Sequence, residues 1–119
     1  MRTAGILGLG TEQLVRIPID SDRRMIPSEL NQKLTDLARE LIPVIAVSAC
    51  ACATPTGAFD PLREIATVCQ RHGVWLHVDA AHGGAFALSQ KHRHLLNGIE
   101  HADSVVWDCL LYTSDAADE

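Results

Sequence analysis

The feature that most constrains this chain is a short apolar run that ends at a carboxylate. Residues 74–78 read VWLHV, Asp79 follows, and residues 80–84 read AAHGG. An apolar run of this length predicts a strand buried on both faces of a parallel sheet. A carboxylate at the end of such a strand is costly unless a cation meets it. Ligands of open α/β folds bind at that end of the strands, so the run predicts a binding site at Asp79.

The segments around this run predict an α/β fold with short connections. Strands are expected at residues 14–19 (an edge strand), 43–49, 74–79 and 104–107. Four leucines at helical spacing after Ser28 predict a helix with Ser28 as its N-cap. Asp60 and Pro61 predict the start of a second helix, which Gly73 ends. A further helix is expected within residues 85–96, and the strand–helix–strand order implies parallel pairing.

The bulk composition excludes several classes of protein. A length of 119 residues allows one small domain, and 47% hydrophobic with 21% charged residues is ordinary for a globular protein. Because no apolar run approaches the length of a bilayer span and the first residues do not form a signal peptide, we expect a cytoplasmic protein without a membrane segment. A net charge of −5 without a basic cluster argues against a nucleic-acid partner.

A strand-end aspartate beside small residues fits a cofactor whose ring carries a protonated nitrogen. Pyridoxal phosphate is the leading candidate, because its chemistry needs an acidic residue that keeps the pyridinium charged. An aspartate of ordinary pKa, about 4, is ionised at neutral pH and can do this. The small side chains of Ala80 and Ala81 would let a flat ring lie close to the backbone.

Three ordered blocks make the resemblance to a known family specific. They are residues 54–61 (TPTGAFDP), 75–84 (WLHVDAAHGG) and 93–104 (RHLLNGIEHADS). Over about residues 5–108 the chain resembles the pyridoxal-phosphate-dependent group II amino-acid decarboxylases, which include the glutamate, aromatic amino-acid, cysteine sulfinate and 2,4-diaminobutyrate enzymes. The resemblance implies a slice of the large domain of a fold-type I enzyme, with a mostly parallel sheet and flanking helices. It also implies removal of the α-carboxylate of an L-amino acid by a homodimer.

The resemblance further implies which residues bind the cofactor. Asp79 matches the aspartate that pairs with the pyridinium nitrogen, and Ala81 matches the alanine that packs on one face of the ring. Thr54 matches a threonine near the ring, and His77 matches a supporting histidine beside the site. Asp108 falls where the family has a polar residue close to the phosphate.

The chain departs from the family pattern in the loop before Thr54. Cys52 and Ala53 stand where the family has glycine and threonine, which predicts an altered loop. His82 is a weaker candidate, for a contact with substrate.

The catalytic histidine–lysine pair of the family is missing. Its two positions are Leu110 and Leu111 here, and the only lysines, Lys33 and Lys91, are not placed to form the Schiff base. We therefore assign no catalytic residue and expect this chain by itself to be inactive.

The last eleven residues differ in character from the rest of the chain. Residues 109–119 resemble the translation of a transposon-end adapter used in sequencing libraries. We therefore expect residues 1–108 to form a partial pyridoxal-phosphate-binding large domain and residues 109–119 to be a non-native tail.

Two other enzyme classes stay open. Another fold-type I enzyme, such as a class V aminotransferase or a cysteine desulfurase-like protein, shares the aspartate motif. His77, Asp79 and His82, with Cys50 and Cys52 nearby, could instead form the zinc or iron site of a metal-dependent hydrolase. We expect no metal, because His77 and Asp79 share one strand face while the cysteines precede another loop.

Overall fold

The computed structural model describes residues 6, 8, 10 and 12–108. Helices and strands alternate along them: α1 (Pro27–Arg39), β1 (Ala46–Cys50), α2 (Leu62–His72), β2 (Trp75–Asp79) and β3 (Ser104–Val106). Three short 3-10 helices, Gly84–Leu88, Arg93–Leu96 and Ile99–His101, connect β2 to β3. The predicted α/β class is confirmed. The proposed tail at residues 109–119 lies outside the described residues.

The three strands form one parallel sheet in the order β1-β2-β3. Its register places Cys50 beside Asp79 and Asp79 beside Val106, so the carboxyl ends of all three strands lie together. We call this end of the sheet the carboxyl edge. The parallel β1-α2-β2 unit predicted from the sequence is confirmed.

One face of the sheet carries the hydrophobic core. The central residues of this core are Val47 and Ala49 of β1, Leu76 and Val78 of β2, Leu62, Ile65, Ala66 and Cys69 of α2, and Leu30 and Leu34 of α1. Ile65 and Val78 are completely buried. Full burial of such a side chain stabilises the fold by about 1.5–3 kcal/mol. The apolar stripe predicted for α2 is therefore the face that fixes β1 and β2.

The opposite face of the sheet, which we call the open face, carries the alternate strand side chains. These are Ala46, Ser48, Cys50, Trp75, His77, Asp79, Ser104 and Val106. Trp75 keeps 52% of its surface exposed. The prediction that β2 is buried on both faces is wrong for the described part of the chain, because α1 and α2 cover only the other face.

Residues 14–19 do not form the predicted edge strand. Ile19 makes a single antiparallel bridge with Met25, and no ladder extends from it. A tight turn intervenes, in which the Asp20 carboxylate accepts hydrogen bonds from the backbone N–H groups of Asp22 and Arg24, both at 2.9 Å. Among the described residues, the alternating pattern lacks a neighbouring strand with which to pair.

The start of α1 also differs from the prediction. The N-cap position is Ile26 without a side-chain hydrogen bond, and Ser28 lies inside the helix. Pro27 occupies the first helical position, where its fixed φ and missing N–H are tolerated. Leu41, the last leucine of the periodic pattern, lies beyond the helix and is 90% exposed.

The helix predicted within residues 85–96 is replaced by two 3-10 helices. The break falls at Ser89, whose carbonyl oxygen accepts hydrogen bonds from the N–H groups of His92 and Arg93. The Ser89 hydroxyl also lies 3.3 Å from the His92 nitrogen, an interaction that competes with helix propagation. By contrast, Gly73 ends α2 in the predicted left-handed conformation, with φ +66°.

No helix in the described ranges is both long enough and apolar enough to serve as a membrane span.

Candidate functional site

The predicted site residues converge on the carboxyl edge of the sheet. Asp79 ends β2, and Ala81 and His82 lie in the turn that follows it. Thr54 lies in the loop after β1, and Asp108 lies two residues past β3. Parallel pairing therefore brings these three segments to one end of the sheet, which is where α/β folds bind ligands.

The Asp79 carboxylate has no cationic partner among residues 6, 8, 10 and 12–108. Its Oδ1 accepts a hydrogen bond from the backbone N–H of Ala81 at 3.1 Å. No lysine, arginine or histidine of the described chain forms an ion pair with it. The side chain is exposed, so the desolvation argument made from the sequence does not apply to it in this structure. Its second oxygen, Oδ2, accepts no hydrogen bond from the described residues.

The backbone around Asp79 is held from both sides. The Asp79 carbonyl oxygen accepts a hydrogen bond from the Ala51 N–H at 2.8 Å, and the Ala80 N–H donates to the Val106 carbonyl oxygen at 3.0 Å. Ala80 is completely buried and belongs to the core. Ala81 is half-buried, so only the second of the two predicted small residues is available to a ring.

Gly83 and Gly84 allow the loop after β2 to approach the ends of the other two strands. A Cβ on Gly83 would overlap the Ala51 carbonyl oxygen and lie 2.8 Å from the Cβ of Cys52. A Cβ on Gly84 would lie 2.8 Å from Cδ1 of Trp107. The glycine pair thus makes room for neighbouring protein atoms, and it closes the three segments of the site against one another.

The loop after β1 keeps a glycine-like backbone at a cysteine. Cys52 has φ +72°, a left-handed conformation that costs a residue other than glycine about 1–2 kcal/mol. Beyond it, the Ala53 N–H donates to the Ala58 carbonyl oxygen at 2.8 Å, and this closes a turn on which Thr54 is exposed. Neither Thr54 nor His82 is hydrogen-bonded to Asp79 within the described residues.

Asp60 stabilises the end of β1, a role that sequence reasoning missed. Its Oδ2 accepts a hydrogen bond from the Cys50 N–H at 2.7 Å, and its own N–H donates to the Cys50 carbonyl oxygen at 2.9 Å. Its Oδ1 accepts from the Met25 N–H at 2.6 Å. The residue was predicted only as a helix start, because its partners lie 10 and 35 positions away in the sequence.

His77 takes part in a polar network on the open face. Its Nδ1 lies 2.8 Å from the Ser104 hydroxyl oxygen, which also accepts a hydrogen bond from Nε1 of Trp75 at 2.9 Å. His77, which was predicted as a supporting histidine beside the site, lies two residues before Asp79 on the same face of β2. Ser104 was not predicted, because its partners on β2 lie 27 and 29 positions away in the sequence.

Cys50 and Cys52, the two cysteines near the carboxyl edge, have raised pKa values. Burial, together with smaller contributions from the nearby carboxylates of Asp79 and Asp60, raises the pKa of the Cys50 thiol to about 11. Burial also raises the pKa of Cys52. These thiols are therefore protonated at neutral pH. The described residues contain no group of three or more histidine, cysteine or acidic side chains that could hold a metal ion.

Comparison with known proteins identifies the family. A family model described as the pyridoxal-dependent decarboxylase conserved domain matches residues 2–112. The chain is 50% identical over 105 residues to human cysteine sulfinic acid decarboxylase, a match that covers 88% of the chain and 21% of that protein. It is 47% identical over 107 residues to bovine acidic amino acid decarboxylase GADL1, covering 90% of the chain and 20% of that protein.

Solved structures show the same relationship in three dimensions. The crystal structure of mouse CSAD in apo form superposes with a TM-score of 0.86 at 50% identity, over 89% of this chain and 22% of that one. Catharanthus roseus tryptophan decarboxylase in complex with L-tryptophan gives 0.81 at 28% identity, over 87% and 23% of the two chains. The chain thus spans about a fifth of the length of these relatives. With the strand-end aspartate, the small-residue turn and the parallel sheet all in place, the chain belongs to the pyridoxal-phosphate-dependent group II amino-acid decarboxylases.

Proposed function

We propose that this chain is the segment of a longer decarboxylase that binds the ring nitrogen of pyridoxal phosphate. The observation that carries the proposal is Asp79, an exposed carboxylate at the carboxyl edge that meets no cation of the described chain. We further propose that the whole protein removes the α-carboxylate of an acidic L-amino acid. The relatives of about 50% identity are named for cysteine sulfinic acid and for acidic amino acids, which supports this substrate class.

The residues at the carboxyl edge fit the cofactor. Asp79 offers Oδ2 to a cationic N–H, and its Oδ1 is already oriented by the Ala81 backbone. Ala81 itself presents only a methyl group beside this carboxylate, which leaves space for a flat ring. When bound, pyridoxal phosphate supplies an electron sink for the breaking of a bond at the substrate Cα.

In the reaction, this chain would keep the ring nitrogen of the cofactor protonated and would keep the Asp79 carboxylate in position. An ionised Asp79 would keep the proton on the ring nitrogen, since a charge-assisted hydrogen bond favours the protonated ring. The bonds from Ala51 and to Val106 fix the backbone on both sides of the carboxylate, so little reorganisation is needed when the ring binds. We propose ring contacts for Ala81 and Thr54, and a place near the phosphate for Asp108.

Neither lysine of the chain is proposed to carry the cofactor. Lys33 lies on α1, which packs on the face of the sheet opposite to the open face, and Lys91 is exposed in the connection between two 3-10 helices. We therefore propose that the 119-residue chain alone is inactive. For the whole protein, a homodimer stays a prediction from the resemblance, and a cytoplasmic location stays a prediction from the sequence.

The test is decarboxylation by the complete protein that contains this chain. We expect release of CO₂ from L-cysteine sulfinate, L-aspartate or L-glutamate in preference to L-tryptophan. Asp79→Asn removes the charge that the ring nitrogen requires, and we expect kcat/KM to fall about 10²–10³-fold, equivalent to about 3–4 kcal/mol.

Asp36→Asn is the matched control. Asp36 is a surface carboxylate on α1 that contacts Gln32 and Arg39, and we expect its replacement to leave the rate unchanged. Absence of CO₂ release from every amino acid at saturating pyridoxal phosphate contradicts the proposed activity. An Asp79→Asn rate equal to wild type contradicts the role of Asp79.

A further inference from the structure

The polar network on the open face determines how His77 presents its ring. Three side chains form the network: Trp75 and His77 of β2 and Ser104 of β3. The indole Nε1–H of Trp75 can only donate, so the Ser104 oxygen accepts that bond at 2.9 Å. The same oxygen lies 2.8 Å from Nδ1 of His77, and the remaining question is which of the two atoms carries the proton.

The hydrogen-bond inventory of Ser104 answers this question. A hydroxyl group has one proton to donate, and among the described residues Nδ1 of His77 is the acceptor within reach of it. If Nδ1 carried a proton instead, the Ser104 oxygen would accept two bonds and its own proton would have no partner in the described chain. A half-buried hydroxyl is better satisfied by donating, which leaves Nδ1 of His77 unprotonated.

We propose that Ser104 is a positioning residue of the site, which fixes His77 as the Nε2–H tautomer. The imidazole then presents a donor, rather than a lone pair, on the open face two residues before Asp79. A donor complements the negative charge of the Asp79 carboxylate, whereas a lone pair would oppose it. The value of this arrangement for catalysis depends on the proposed function, but the tautomer itself does not.

The experiment observes the tautomer directly in the 119-residue chain. Long-range ¹H–¹⁵N NMR of the labelled protein at a pH of about 9, above the ordinary titration range of imidazole, distinguishes protonated from unprotonated ring nitrogens. The His77 signals are assigned by their loss in His77→Gln. We expect a single Nε2–H form in the wild-type chain. In Ser104→Ala the ratio of the Nε2–H to the Nδ1–H tautomer should fall about fivefold. This factor corresponds to the loss of one net hydrogen bond of about 1 kcal/mol.

Three further variants separate the hydrogen bond from general packing. Ser104→Thr keeps the hydroxyl and should retain the wild-type ratio. Ser48→Ala is the matched control, because Ser48 flanks His77 on the β1 side in register without a hydrogen bond to it. Trp75→Phe keeps an aromatic ring but removes the donor, so the Ser104 oxygen becomes free to accept from Nδ1 and the ratio should also fall.

The proposal is overturned if wild-type His77 is protonated at Nδ1, or if the ratio of the Nε2–H to the Nδ1–H tautomer in Ser104→Ala and in Trp75→Phe equals that of the wild-type chain. If Ser104→Ala does not fold, the tautomer ratio of His77 in Trp75→Phe tests the proposal by itself. Failure of the proposed function would show differently, as a complete protein that releases no CO₂ while the His77 tautomer responds as expected.

Discussion

Replacing the two glycines after β2 by alanine tests how the site is closed. At Gly83 the new Cβ would overlap the carbonyl oxygen of Ala51 and stand 2.8 Å from the Cβ of Cys52, well inside the ordinary contact distance of at least 3.4 Å. Overpacking against a backbone costs about 1–3 kcal/mol. The loss of glycine entropy in the unfolded chain offsets about 0.4–1 kcal/mol of this, because Gly83 has φ −94°, which alanine adopts easily. We expect a net loss of about 1–2 kcal/mol for Gly83→Ala.

At Gly84 a new Cβ would meet a side chain and not the backbone. Its nearest neighbours are all atoms of the Trp107 side chain, which is 55% exposed and can move aside. We expect Gly84→Ala to cost about 0.5–1 kcal/mol, and this cost should vanish in a Trp107→Ala background. In contrast, Cys52→Gly should not rescue Gly83→Ala, because the Ala51 carbonyl oxygen remains in place.

Urea unfolding of the 119-residue chain, followed by circular dichroism, measures these free energies in two double-mutant cycles. Circular dichroism is preferred to fluorescence, since one cycle removes a tryptophan. A Gly83→Ala chain as stable as the wild-type chain would contradict the predicted overlap with Ala51. A cost of Gly84→Ala that persists after Trp107 is removed would contradict the predicted contact with Trp107.

Two further predictions concern groups outside the glycine pair. Asp60→Ala leaves the N–H groups of Met25 and Cys50 without their acceptor, so the free energy of unfolding in urea titrations should fall by about 2–4 kcal/mol. The surface variant Asp36→Ala should change it by less than about 0.5 kcal/mol. Equal effects of the two variants would contradict the role of Asp60 in connecting Met25 with Cys50. Burial, with a smaller contribution from the Asp103 carboxylate, raises the pKa of the Cys69 thiol from 9.0 to about 11. The unfolded chain therefore loses this proton first as the pH rises from 9 to 11, and stability present below pH 9 is lost over that window, by about 2–3 kcal/mol. Urea midpoints at pH 8 and pH 11, compared with those of Cys69→Ala, measure this loss, and an identical pH dependence of the two proteins would contradict it.

Local patterns in the sequence predicted the central βαβ unit correctly. Leu62, Ile65, Ala66 and Cys69 recur at helical spacing, and Gly73 ends the helix. Both ends of α2 can therefore be predicted from about a dozen neighbouring residues. The apolar run before Asp79 is likewise a local signal. These segments agree with the tertiary structure because each buries its apolar side against the others.

Predictions failed where the structure depends on residues that are distant in the sequence, or where two neighbouring residues are equally suited to the same position. Pro27 and Ser28 are both good helix starters, and only the structure shows that Pro27 occupies the first position. Residues 14–19 alternate like a strand but find one bridging partner, Met25, across a tight turn. The predicted site residues were brought to one edge as expected, whereas the roles of Asp60 and Ser104 depend on partners that no sequence spacing reveals.

The central claim is that the Asp79 carboxylate meets the protonated ring nitrogen of pyridoxal phosphate. The most direct measurement is the ¹⁵N chemical shift of cofactor labelled at that nitrogen and bound to the complete protein. We predict a protonated nitrogen in the wild-type protein at neutral pH and an unprotonated one in Asp79→Asn. An unprotonated nitrogen in the wild-type protein, or the same shift in both proteins, would contradict the account.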